Sequence, residues 1–214
     1  MTKKLTKEEY AGAKPIMFST KMVQALMDGR KTMTRRPIKG DLPKKSAFGY
    51  TALTPKNKIS CRGNFEFNGE DKYGEQFIKI PYPVGTVLYV KETWSETFGA
   101  NGHFYLYKAD GEHLAEMDGV KWKSSMFMPK KAARLFYRVT NVRVENIQDI
   151  TPNDVYCEGV GVSFSTVASF YYDEWSSDQK YEFKKLWNSI YAKKGYGWET
   201  NCPVFVYGLE KLEI

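Results

Sequence analysis

The stretch from Arg134 to Ile147 constrains the fold most, because β-branched and aromatic residues recur along it and it contains neither Gly nor Pro. This composition predicts one long β-strand. Pro203–Leu212 has the same character and predicts a final strand. Shorter runs predict extended segments at 15–18, 31–36, 87–90 and 104–107. About six strands among short helices indicate an α+β fold, and the expected architecture is a small mixed β-barrel with short flanking helices.

Three segments combine a capping residue, apolar residues at helical spacing and a glycine that follows the last turn, and they predict helices at about 20–28, 151–158 and 176–191. The third has the clearest start, because Ser176 and Gln179 match a capping box. Residues 1–13 carry no strong pattern and are predicted to form a loose N-terminal arm. The rest, 14–214, is expected to be one domain.

Residues 38–76 interrupt this pattern. They are rich in Gly, Pro, Lys and Asn, which is typical of an inserted loop rather than of a core. A hairpin is predicted around Cys61–Asn64. The segment is therefore expected to be an insertion into the domain.

Length and composition exclude several classes of protein. The chain has 214 residues, which fits one domain. No apolar run approaches the roughly 18 residues that a membrane span requires, and the N-terminus lacks an apolar signal core. The three cysteines are too few and too scattered for a disulfide framework. A cytoplasmic protein with no membrane partner is expected.

The positive charge is concentrated at the N-terminal end. Residues 1–45 contain twelve Lys and Arg against four Asp and Glu, a net charge of +8, whereas the remainder has 20 against 21, a net of −1. Such asymmetry favours a polyanionic partner, most simply nucleic acid, although a solvated basic surface is equally compatible with it. The aromatic content of 15% serves either core packing or base stacking.

Several kinds of chemistry lack their residues. The two histidines, His103 and His113, lie in polar stretches without metal-ligand spacing, and no CxxC or HExxH motif occurs. There is no GxxxxGK[ST] motif and no GxGxxG motif after a strand. No metal and no cofactor are therefore predicted.

The densest cluster of reactive residues is Gly29–Arg36, where a helix ends at a glycine and a strand begins. A lysine in a partly desolvated pocket loses proton affinity and can act as a base. A nearby threonine hydroxyl can be a nucleophile or orient a water, and arginine offers a planar fork for a phosphate or carbonyl. An exposed basic turn is the plainer interpretation.

This stretch resembles the G-x-K-x-x-E-x-R motif of the ASCH superfamily, small β-barrel domains related to the RNA-binding PUA fold. Gly29, Lys31 and Arg36 stand at the matching positions, and Thr34 replaces the usual glutamate. The acetylcytidine amidohydrolases of this superfamily also carry threonine there. The layout is similar to that of a longer phage and prophage subgroup, through Lys14–Phe18, Tyr89–Trp94, Trp122–Pro129 and Gly195–Trp198.

The resemblance implies a catalytic set of a lysine, a threonine and a distant glutamate, which map onto Lys31, Thr34 and, by its place at the end of a short helix, Glu158. In the implied amide hydrolysis Lys31 deprotonates Thr34 or a water, and Glu158 gives a proton to the leaving amine. Alternation along a strand would separate Lys31 from Thr34, so Lys31 is expected in the turn or beside a bulge.

Five further residues are expected to bind substrate: Arg35, Arg36, Glu92, Trp94 and Trp198. Glu92 and Trp94 continue the inward parity of Leu88 and Val90, so they would wall a pocket at one barrel end. The resulting hypothesis is a phage-type ASCH protein that binds a nucleobase, nucleoside or RNA, with a possible amidohydrolase activity. The alternatives are a non-catalytic module that binds nucleic acid or protein, and a metal-independent ribonuclease.

Overall fold

The strand Pro203–Glu213, β11, organises the main sheet. The computed structural model describes residues 3–39, 50–53, 58–67, 70–99, 102–111, 120–161 and 172–214, and every structural statement below refers to these ranges. One edge of β11 pairs antiparallel with β10, Phe136–Asn146. Its other edge pairs antiparallel with β3, Met33–Pro37, and parallel with β1, Lys3–Lys4.

Two more strands complete this six-stranded sheet. β7, Val87–Lys91, pairs antiparallel with β10, and β2, Lys14–Met17, pairs parallel with β7. The predicted mixed α+β class is confirmed. Hydrogen bonding among the described strands leaves β2 and β3 as separate edges, so these strands form no closed barrel.

The main core lies on the inward face of this sheet. It includes Phe18, Leu88, Val90 and Tyr207, all buried, and the buried side chains of Val23 and Leu26 cover it. Those two residues belong to α2, Thr20–Met27, which agrees with the predicted first helix. Burial of apolar side chains at helical spacing therefore holds α2 against this core.

Three other α-helices are described: α1, Lys7–Gly12, α3, Pro152–Cys157, and α4, Tyr172–Tyr191. α3 begins at its predicted cap, where Thr151 and Asp154 form a capping box. The predicted start of α4 is wrong, because Ser176 lies inside the helix. No helix in the described ranges has the length and apolar character to cross a bilayer.

The segment 38–76 contains most of a separate three-stranded sheet of β4, Tyr50–Leu53, β5, Lys58–Phe67, and β6, Glu70–Lys79. The predicted hairpin is present as β5 and β6, but Cys61–Asn64 lie within β5 and not at the turn. Gly63 pairs with Gly74 of β6 in the antiparallel ladder, so this glycine lies in a strand and not at a turn. A further hairpin joins β8, Trp94–Gly99, to β9, Gly102–Tyr107.

The N-terminal segment differs from the loose arm expected from its sequence. β1 extends the edge of β11, and α1 has a capping box between Thr6 and Glu9. Short 3₁₀ helices connect the larger elements at Lys108–Asp110, Ser125–Phe127, Lys130–Ala132, Ile147–Asp149, Ala192–Lys194 and Trp198–Thr200.

The ends of α2 and α3 meet, and this contact positions the candidate site. The amide of Lys31 donates to Ala25 O and the amide of Thr32 donates to Cys157 O, both at 2.9 Å. Gly159, just past α3, has φ +84°, and a Cβ there would lie 2.6 Å from Ala25 Cβ. Glycine at 159 is therefore required both by its backbone conformation and by the close approach of the two helix ends.

We expect Gly159→Ala to lower the free energy of unfolding by about 2–4 kcal/mol, since it combines an unfavourable backbone conformation with a steric clash. Gly29→Ala is the matched control. Gly29 also has positive φ, +75°, but no atom lies within 4 Å of its would-be Cβ, so the control should lose only about 1–2 kcal/mol. Urea unfolding followed by circular dichroism measures both. Equal losses would contradict the close packing at Gly159.

Candidate functional site

Lys31 is a buried cation between the ends of α2 and α3. Its side chain has no solvent exposure, and its ammonium donates to Glu158 Oε2 at 2.7 Å and to Glu158 O at 2.8 Å. The ammonium also lies 5.4 Å from the centre of the Phe18 ring, within cation–π range. Lys31 precedes β3, so strand alternation does not separate it from Thr34.

Burial lowers the pKa of Lys31 from its ordinary value, because the charged form loses hydration. The carboxylate of Glu158 acts in the opposite direction and keeps part of the preference for the charged form. The pair is a desolvated lysine whose charge is supported by a specific partner. Perturbed groups of this kind are concentrated at functional sites, although structural ion pairs also produce them.

Arg35 is the centre of the same charge cluster. Its Nε and Nη2 donate to Glu145 Oε1 at 2.8 and 2.5 Å, and Nη2 also donates to Asp154 Oδ2 at 2.9 Å. Its Nη1 donates to Glu158 Oε1 at 3.2 Å and to Met33 Sδ at 3.5 Å. These five contacts match the five N–H groups of a guanidinium. The side chain of Arg35 is fully buried, so no N–H remains for a substrate.

The charges of this cluster balance. Burial alone would lower the pKa of Arg35, but Glu158, Glu145 and Asp154 outweigh it and raise the pKa. For Asp154, burial raises the pKa, but Arg35 and Arg143 outweigh it and the net shift is downward. Arg143 contacts Glu145 and Asp154 from the solvent side, at 2.9 and 3.2 Å. Three cations, counting Lys31, thus face three carboxylates.

A small cavity adjoins this cluster. Thr34, Arg35, Arg36 and Glu158 contribute to its lining, together with Phe183, Trp187 and Tyr191 of α4. Thr34 pairs with Tyr207 in the main sheet and is buried. The cavity has a volume of about 10 Å³, room for about one water molecule. It brings a hydroxyl and a carboxylate to one small, mostly apolar space beside the aromatic side chains of α4.

Arg36 connects the two edges of the main sheet. Its Nη2 donates to Met17 O on β2 at 3.0 Å, and its Nη1 donates to the Tyr191 hydroxyl at 3.1 Å. Its guanidinium carbon lies 5.1 Å from the centre of the Phe18 ring. In the described part of the chain Arg36 has no carboxylate partner. It is the cation of this site whose charge is not matched by an acid.

The structure brings Lys31, Thr34, Arg35, Arg36 and Glu158 together, as the sequence predicts, but it places Glu92 and Trp94 elsewhere. Burial raises the pKa of Glu92 despite its two 3.0 Å hydrogen bonds from Arg134. Trp94 is buried with Met128 and Ala132, and Lys123 lies over its ring. Neither residue lines the cavity. Both side chains are buried, as their parity predicts, but they are buried away from the cavity.

Trp198 also lies outside the cavity lining. It packs edge-on against Phe183 with 6.2 Å between ring centres, and its amide donates to Asn188 Oδ1 at 2.7 Å. Trp198 thus contacts α4 at Phe183 and Asn188.

Sequence reasoning missed the acids that surround Arg35 and the aromatic wall of α4. Glu145 and Asp154 had no motif to mark them, since their shared partner Arg35 is more than a hundred residues away in the chain. The side chains of Phe183, Trp187 and Tyr191 follow helical spacing, and a stripe of this kind predicts core packing. Only the polar residues opposite distinguish a cavity wall from a core face.

In the described ranges no group of three or more His, Cys, Asp and Glu side chains is arranged to hold a metal ion. The carboxylates of the cluster instead converge on Arg35. Comparisons with protein-family models, curated proteins and solved structures find no match for this chain.

We expect Glu158→Gln to lower the pKa of Lys31 further, because burial persists while the neighbouring negative charge is removed. The ¹⁵N shift of Lys31 Nζ, followed against pH in protein labelled at lysine, measures this change. Glu145→Gln is the control, since Glu145 contacts Arg35 and Arg143 whereas the Lys31 ammonium contacts Glu158, and it should leave the pKa of Lys31 nearly unchanged. An unchanged or higher pKa in Glu158→Gln would show that the two groups are not coupled.

Proposed function

We propose that this protein is an ASCH-type amidohydrolase that removes an acyl group from an acylated cytidine-type nucleobase or nucleoside. The observation that carries the proposal is the buried Lys31–Glu158 pair beside a cavity that Thr34 shares. Burying two charges costs several kcal/mol before their attraction repays it. A fold that retains such a pair next to a cavity gains a reactive carboxylate in a place with little water.

The contacts of Glu158 define its role in this proposal. Each carboxylate oxygen accepts a hydrogen bond from a cation, Oε2 from Lys31 and Oε1 from Arg35, which leaves each oxygen a further lone pair for a proton. Lys31 already donates to both the carboxylate and the backbone of Glu158, so we assign the proton transfers to Glu158. Lys31 holds Glu158 in place and supports its charge.

The reaction balances with Glu158 as the only proton carrier. A hydroxyl nucleophile, from Thr34 or from a water in the cavity, loses its proton to Glu158 and attacks the amide carbon. The C–N bond then breaks, and Glu158 returns the proton to the leaving amine. If Thr34 is the nucleophile, a water hydrolyses the acyl ester by the same transfers in a second round. The products are a carboxylic acid and the free amine of the base.

Arg36 is the residue best placed to bind the substrate oxygen. It faces the cavity, and its recorded partners, Met17 O and the Tyr191 hydroxyl, are both neutral. A guanidinium aimed at a carbonyl oxygen stabilises the negative charge that develops there during attack. In this proposal Arg36 exchanges the Tyr191 hydroxyl for the substrate.

The aromatic wall of α4 supplies the stacking surface that Trp94 and Trp198 do not. Trp187 is fixed by a 2.7 Å hydrogen bond from its Nε1 to Tyr196 O, and its ring lies 4.3 Å from that of Tyr191. A cavity of about 10 Å³ does not hold a nucleobase. Binding therefore requires α4 to move away from β3, which breaks the contact between Arg36 and Tyr191.

We infer a PUA-like domain whose strands curl around the core under α2, with β2 and β3 as facing edges. Arg36 reaches from β3 to a β2 carbonyl and spans the gap between these edges. The segment that holds β4, β5 and β6 would be the insertion of the longer phage-type members.

The basic N-terminal segment favours RNA or a nucleoside within RNA as the carrier of the acylated base. Two of its twelve positive residues, Lys31 and Arg35, are buried in ion pairs and do not contribute to the surface charge. Lys3, Lys4, Lys7 and Lys21 remain exposed. This remaining charge attracts phosphates without reading sequence.

We expect the purified protein to release cytidine from N4-acetylcytidine, measured by chromatography of the nucleosides in the presence of a chelator. Glu158→Gln should lower kcat by at least about 100-fold, since it removes the proton carrier. Thr34→Val tests the nucleophile: full loss of turnover together with an acylated peptide in the wild type identifies Thr34, and partial loss without such a peptide identifies a water. His103→Ala, distant in sequence from the site, is the control.

The alternatives predict different results in the same experiments. If no acylated base is cleaved and RNA binds with an affinity that falls steeply with salt, the protein is a binding module. If labelled RNA is cut in chelator and Lys31→Ala prevents the cutting, it is a ribonuclease. Either result would overturn the amidohydrolase proposal.

Tyr191→Phe tests the movement of α4. Loss of the hydroxyl removes one hydrogen bond that holds the site closed, so we expect KM for the acylated nucleoside to fall several-fold. Tyr181→Phe on the exposed side of the same helix is the control. A higher KM in Tyr191→Phe would mean that the hydroxyl binds the substrate instead of closing the site.

A further inference from the structure

Arg35 has an unusual position for a residue next to a ligand motif. In β3 its side chain points to the face opposite Thr34 and Arg36, towards α3. All five N–H groups have acceptors, and the side chain has no exposure. A group with no free donor cannot recognise a substrate directly, so its contribution must pass through its partners.

The partners of Arg35 include both ends of α3. Asp154 belongs to the first turn of the helix and also caps it with Thr151, and Glu158 is its C-terminal cap residue. Residues four apart in a helix lie on one face. The guanidinium of Arg35 therefore contacts α3 at two positions, Asp154 and Glu158, and fixes the rotation of this helix about its axis. That rotation decides where the Glu158 carboxylate points.

The third partner fixes Arg35 itself. Glu145 Oε1 accepts from both Nε and Nη2, which holds the plane of the guanidinium against β10. Arg143 then contacts the second oxygen of Glu145, Oε2, and the same Asp154 oxygen that accepts from Arg35, Oδ2. A line of alternating charges thus runs from half-exposed Arg143 through Arg35 to Glu158, the acid that lines the cavity.

We propose that Arg35 is a positioning residue for Glu158: together with Glu145 and Asp154 it holds the carboxylate at the angle that the cavity requires, and although it borders the cavity it donates no hydrogen bond to the substrate. This inference rests on the proposed function for its kinetic consequence, and its structural part can be tested without turnover. It replaces the substrate-binding role that the sequence suggests for Arg35.

Kinetics of Arg35→Lys and Arg35→Met with N4-acetylcytidine test the role. We expect Arg35→Met to lower kcat by about 10- to 100-fold, as loss of a supporting contact typically does, while KM stays within about threefold. Arg35→Lys keeps the charge without the fork and should retain more of kcat. A raised KM with unchanged kcat would show that Arg35 binds substrate and would overturn the proposal.

Two additions keep the test decisive if Arg35→Met does not fold. Asp154→Asn and Glu145→Gln leave Arg35 in place and remove one of its anchors, so each should lower kcat and leave KM unchanged. The double variant Arg35→Met/Asp154→Asn removes one charge of each sign and should fold better than Arg35→Met. Arg138→Met is the matched control, since Arg138 pairs with Glu9 and Glu210, which lie outside the Arg35 charge cluster.

A measurement without substrate separates this inference from the proposed function. In wild-type protein the buried Lys31 ammonium should give a slowly exchanging ¹H–¹⁵N signal, because two of its protons are held by Glu158. Arg35→Met should speed that exchange, and Arg138→Met should not. An unchanged signal overturns the positioning role even if the enzyme is active. A changed signal in a protein without amidohydrolase activity supports the positioning role and removes only the proposed reaction.

Discussion

The site depends on one desolvated ion pair. Lys31 lies where α2 ends and Glu158 where α3 ends, and the two side chains are within 2.7 Å of each other. Neither charge would be stable alone in this position, because an unpaired buried ion costs several kcal/mol. The approach of the helix ends, the glycine at 159 and the burial of Phe18 around the ammonium all serve this pair. The remainder of the site is arranged around it.

The sequence predicts the elements of this arrangement better than their contacts. α2, α3 and the long strands follow from local signals: caps, glycine stops and β-branched runs. The proximity of Lys31, Thr34 and Glu158 follows from the ASCH resemblance, because no local rule relates residues more than a hundred positions apart. Wrong predictions arose where one pattern fits two structures, as with the glycine at 63 and the capping box at Ser176.

Burial was easier to predict than partnership. Alternation continued beyond β7 correctly predicts that Glu92 and Trp94 are buried, and they are 1% and 4% exposed. It does not say what lies opposite, and Arg134 and Met128 reach them from elements distant in the chain. The same limit applies to Arg35. An arginine beside a motif predicts a ligand contact, whereas Glu145 and Asp154, folded against it, occupy its donors.

All five N–H donors of Arg35 are used, and this restricts which substitutions the site can accept during evolution. Replacing Glu145, Asp154 or Glu158 alone leaves a buried cation short of an acceptor, and replacing Arg35 alone leaves three acids with only Lys31 and Arg143 to balance their charge. Homologues that keep the Lys31–Glu158 pair should therefore change these positions in concert or not at all. Correlated substitutions at these positions of β3, β10 and α3 would reflect their shared dependence on the Arg35 guanidinium.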